Sequence, residues 1–139
     1  GMTSQYGAEI ACTSMEALTE IVNYFIMMKH PTPPLLAQHF TETIPLAFET
    51  CLENSCENAV FNDAVSCLYS LICFDKLAFD RFVSQMVSSK SNEGVSNKLR
   101  EEFSKLLPDD LKPGRRERIA FGQRMECFLS EIQGLLSYN

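Results

Sequence analysis

His30-Pro31-Thr32-Pro33-Pro34 is a stretch through which no helix passes. Proline has no backbone N–H and pushes the residue before it out of the α region, so three prolines within residues 31–34 impose a corner. On both sides of that corner the apolar residues recur at helical spacing. Upstream, residues 9–28 place Met15, Leu18, Ile21, Val22 and Phe25 at steps of three and four. Thr13 or Ser14 is a candidate cap for the start of this helix, with an earlier start near Ala8 as the alternative. Downstream, residues 35–52 put Leu36, Phe40, Ile44, Ala47, Phe48 and Cys51 on one face, and Pro45 is expected to kink that helix. Two helices of about five turns joined by a short rigid corner form an α-hairpin.

The rest of the chain reads the same way. Residues 56–73 carry Val60, Phe61, Ala64, Val65, Leu68, Leu71 and Ile72, the widest apolar stripe and therefore the most buried helix. Asp75 is a natural N-cap for a fourth helix over 76–88, with Phe79, Phe82, Val83 and Met86 inward. The polar run 88–94 is the best loop candidate. A fifth helix over 97–107 buries Leu99, Phe103 and Leu106, and Pro108 to Gly114 ends it. The last, 115–137, spaces Phe121, Met125, Phe128, Ile132 and Leu135 by four, three, four and three.

The expected fold is therefore all-α: one domain over 1–139, with about six helices as three stacked antiparallel hairpins at about 8–54, 56–90 and 97–137. Their spacing approaches the ~40–47-residue period of HEAT and armadillo repeats, which points to an α-solenoid array. The same period fits a closed six-helix bundle.

Composition narrows the function. The chain has 139 residues, of which 45% are apolar and 22% charged, the range of a globular domain. No apolar run reaches the ~18 residues of a membrane span, and no secretory leader is recognisable, so a cytoplasmic or nuclear setting is expected. In that setting the six cysteines, at 12, 51, 56, 67, 73 and 127, act as free thiols, mostly inside apolar stretches. The net charge is −6, and residues 1–94 hold 4 basic against 11 acidic side chains. An acidic body disfavours nucleic acid, whose phosphates require clustered Lys and Arg; it is compatible with a basic protein partner and likewise with plain solvated helix faces.

Catalytic and metal chemistry find little support. Cys51 and Cys56 form a C-x₄-C pair with no second pair at matching spacing, and the only histidines are His30 and His39. His39 is the one base on a helix that could serve a nucleophilic cysteine. Gly94, Gly114, Gly122 and Gly134 stand apart, so there is no phosphate-cradling loop. The expectation is a protein that is not an enzyme and carries no cofactor or metal.

The basic cluster Arg115, Arg116 and Arg118, with Arg124, starts the last helix, where the macrodipole disfavours positive charge. Pairing with Asp109, Asp110 or Glu117 would neutralise it within the chain; an acidic partner is the other reading. Without interleaved aromatic residues the cluster is not a nucleic-acid site.

The segment Arg115-Arg116-Glu117-Arg118-Ile119-Ala120-Phe121, with Phe128 and Glu131-Ile132-Gln133-Gly134-Leu135-Leu136, resembles the terminal helix of importin-β superfamily receptors, notably exportins. Ser14-Met15-Glu16-Ala17-Leu18-Thr19-Glu20-Ile21 and Ala64-Val65-Ser66-Cys67-Leu68-Tyr69-Ser70-Leu71, followed by Phe79-Asp80-Arg81-Phe82, are similar to helices of their HEAT units. The resemblance implies a C-terminal piece of a non-catalytic nuclear transport scaffold that binds a protein cargo or regulator, and it leaves a link to Ran open. In such a piece the first helix should keep an exposed apolar stripe, for which Tyr24, Ile26 and Met27 are the candidates. The alternative is a self-contained adaptor that takes an amphipathic helix in a groove.

Overall fold

The computed structural model describes residues 2–135, with side chains from residue 7 onward except at 8. It is all-helical: α1 (Met2–Met28), α2 (Pro34–Glu53), α3 (Ala59–Phe74), α4 (Lys76–Ser88), α5 (Glu93–Ser104) and α6 (Arg115–Ile132). No strand occurs among the described residues.

The helix ends follow local chemistry. Pro34 occupies the first turn of α2, where its missing N–H costs nothing. The helix then runs unbroken through Pro45. Asn58 caps α3 by accepting from the Val60 N–H at 2.8 Å, so α3 begins three residues later than the apolar pattern suggests. Asp75 caps α4 as expected, accepting from the Ala78 N–H at 3.1 Å. Asn92 does the same for α5 through the Val95 N–H at 3.1 Å, which draws the helix back into the expected loop. At its other end, the N–H groups of Lys105 and Leu106 turn to carbonyls three residues back, and α5 stops short of 107. Gly134, at φ +92°, lies just past the cap of α6 and ends it at Ile132. Residues 136 and 137 of the longer helix expected there lie outside the described residues.

Two expectations for α1 are corrected. The helix begins by Met2, so Thr13 and Ser14 are exposed mid-helix positions and cap nothing. Ile21 is 44% exposed, because Leu18, Thr19, Val22 and Ile26 supply the side turned to the core.

The helix with the widest stripe, α3, is the support of the fold. α1, α2, α4 and α6 all pack on it, and α1 and α2 meet it far more extensively than they meet each other. Ten of its residues are buried. A second group of contacts is aromatic. The Phe48 ring of α2 lies 5.3 Å from Phe82 of α4, 5.8 Å from Phe103 of α5 and 6.1 Å from Phe128 of α6. One core thus runs through all three successive helical pairs.

Candidate functional site

Because α1 and α2 both lean on α3, a groove opens between them, with a volume of about 330 Å³. Ala11, Ser14, Met15 and Leu18 form one wall, and His39, Thr43, Leu46, Ala47 and Thr50 the other. Cys67 of α3 closes the floor. The short side chains at 11, 14, 43, 47 and 50 leave the space between the walls unfilled. The threonine hydroxyls do not project freely: Thr43 donates to the His39 carbonyl at 2.7 Å and Thr50 to that of Leu46 at 2.7 Å. What remains is an apolar slot with room for a large apolar side chain.

Beside the slot, α1 presents an outward seam. Ile10, Ser14, Ala17, Ile21, Tyr24 and Met28 follow steps of four, three, four, three and four, and all are exposed. The apolar members are far from covered: Ile10 is 67% exposed, Tyr24 51% and Met28 53%. This is the spacing by which one helix meets another along its length. On the opposite wall Leu46 is 62% exposed at the rim.

Of the three α1 residues considered for an exposed stripe, one lies on this seam. Tyr24 belongs to it. Ile26 is half-buried against the core. Met27 is exposed but lies on another side of the helix, facing the start of α6.

There it borders a second concavity, a cleft of about 170 Å³ where Ile26 and Met27 of α1 meet Arg115 and Arg118 of α6, with Tyr69, Ser70 and Cys73 of α3 behind them. Two of the four arginines singled out by sequence are thus brought together with two of the three α1 residues. Arg116 points to solvent, and Arg124 lies further along α6 beside Glu102, Lys105 and Cys127. The internal pairing considered for this cluster is not made. Asp110 pairs with Lys112 at 3.2 Å, and none of the four arginines has a carboxylate within ion-pair distance among the described residues. Glu117 instead turns back toward Gly114, where a side-chain carbon would come within 2.6 Å of its carboxylate oxygen. The φ of +141° at Gly114 also calls for glycine. The turn before α6 is fixed by the Tyr69 hydroxyl, which donates to the Lys112 carbonyl.

The ionisable groups elsewhere act in structural pairs. Glu102 is buried and receives Lys105 at 3.1 Å and Lys98 at 3.3 Å, contacts that hold its carboxyl below the usual range. The charge of Asp63 pushes up the carboxyl of Glu16 across the α1–α3 boundary. Burial pushes Cys51 up to about 12 and Cys67 to about 11, so neither is a thiolate at neutral pH. Among the described residues, no three His, Cys, Asp or Glu side chains converge as a metal site would require. No helix there is long and apolar enough to cross a membrane.

No family model matches the chain, and no solved structure matches it.

Proposed function

We propose that this chain is a non-catalytic protein-binding domain that receives an amphipathic helix along the seam of α1, with one apolar side chain anchored in the α1–α2 groove. The observation that carries this reading is the seam itself, a helix-length apolar row at coiled-coil spacing beside an apolar slot. Buried apolar rows at that spacing are ordinary core; an exposed one is a contact surface awaiting a partner.

The test is titration of the isotopically labelled domain with a helical peptide whose leucines repeat every three to four residues. Resonances of Ala17, Ile21, Leu46 and Thr50 should move. Ala17→Gln and Leu46→Ser, both at exposed positions that leave the core intact, should each weaken binding by about tenfold, near 1.4 kcal/mol. Shifts confined to the arginine cleft, or no shifts at all, would overturn the reading.

The exposed seam also favours a second reading, the exportin-like one. In a receptor of the importin-β kind the partner on α1 would be an adjoining helical repeat, and the domain would serve a cytoplasmic or nuclear carrier. Proteins captured from extract on the immobilised domain should then change with added GTP-locked Ran. Capture indifferent to Ran would remove the Ran-linked form of this reading and leave the groove reading standing.

A further inference from the structure

We infer that the helix taken by this groove is basic, with Lys and Arg flanking its apolar stripe. The inference rests on the groove reading above and narrows the partner's chemistry. α1 and α2 together carry six glutamates, at 9, 16, 20, 42, 49 and 53, and neither lysine nor arginine. From residue 30 to residue 75, which spans α2 and α3, there is no Lys or Arg at all.

The placement of these charges matters more than their number. On a helix, residues three or four apart are surface neighbours. Glu42 and Glu49 therefore stand on either side of the rim residue Leu46, and Glu53 follows the lining residue Thr50 by three. Each is exposed. Glu42 is contacted by Gln38 at 2.9 Å, an amide that leaves its charge uncompensated. Glu49 and Glu53 meet no cation within ion-pair distance among the described residues. On α1, Glu9, Glu16 and Glu20 lie around the helix from the seam and add to the same field. The chain's own basic cluster, on α6, faces the other end of α1.

An apolar row bordered by unpaired carboxylates favours a helix with the complementary border and repels one with an acidic border. The charges would act on the association rate and the choice of partner, while the slot and seam supply contact area.

The test uses three helical peptides with one shared leucine stripe, flanked by lysine, glutamine or glutamate. At low salt the lysine-flanked peptide should bind about tenfold or more tighter than the glutamine-flanked one, and the gap should shrink as salt rises. The combined variant Glu42→Gln, Glu49→Gln and Glu53→Gln should narrow the gap severalfold, chiefly by weakening the lysine-flanked peptide. Equal binding of lysine- and glutamine-flanked peptides, or preference for the glutamate-flanked one, overturns the inference and spares the groove reading. Failure of all three peptides to bind overturns both.

Discussion

The Ser70 hydroxyl of α3 donates to the side-chain oxygen of Asn23 on α1, 2.8 Å away. Ser70 is buried and its partner half-buried, so the bond fixes how far along α3 the first helix sits. Ser70→Ala should cost about 1 kcal/mol, since the Asn23 oxygen loses its donor but keeps some access to water. Urea unfolding would show a lower midpoint at unchanged slope; no change in midpoint would mean that apolar packing alone sets the register.

Phe48 joins helices from all three successive pairs, and its ring is fully buried. Phe48→Ala is expected to remove about 3–5 kcal/mol, a large fraction of the stability of a domain this size. The same measurement on Leu35→Ala, at a position 82% exposed, should register within about 0.5 kcal/mol of the parent.

These two positions show what the sequence discloses. Phe48 lies on a periodic face, and its burial follows from the pattern. Leu35 is equally apolar and adjoins that face, yet projects to solvent, because a 3.6-residue period names a direction without its angular width. The Asp75 cap could be read directly, whereas Asn92 lay in a polar run containing Gly94 that looked like a loop. The groove was foreseen only as a kind of site. Its residues come from helices separated by the proline corner, and their opening depends on how both lean on α3, which no local pattern encodes. The arginines were legible as a cluster, but their meeting with Ile26 and Met27 brings together segments about ninety residues apart.

Acid should destabilise the fold partly through Glu102. Its folded-state pKa is depressed, chiefly by the hydrogen bond from Lys105 and then by Lys98. Its contribution is therefore complete above the ordinary Glu value of about 4.3 and is lost as the pH falls through the lower folded value. Glu102→Gln should flatten the acid limb of the stability curve. Glu16 has the opposite sign: its folded pKa is raised by Asp63, so the repulsion is felt above that raised value and is relieved on acidification. Asp63→Asn should bring the Glu16 titration, followed by NMR, down toward the normal range. A Glu16 titration that does not respond would show that the two carboxylates do not interact.

At the start of α6, Arg116 occupies the second helical position, exposed and without an acidic partner. Reversing its charge with Arg116→Glu should stabilise the domain by about 0.5–1 kcal/mol at low salt, with the gain declining as salt is added. A loss of stability would indicate that the arginine makes a favourable contact in the folded state.

Thiol reactivity should divide along burial. Cys127 is exposed and should react with a thiol reagent under native conditions. Cys51 and Cys67, buried and protonated, should react only at the rate of global opening. Rapid native-state modification of Cys67 would mean that the groove floor is open to small molecules.

The shared dependence on α3 sets a limit on how the chain can be divided. A helical pair can be removed cleanly only where the units beside it do not share its core. Here a central helix carries partners from both sides of the sequence, and the Phe48 ring reaches the last helix directly. Removing any one pair would uncover the middle helix or open the ring cluster. A cut between pairs would bare apolar surface that the neighbouring helices now cover.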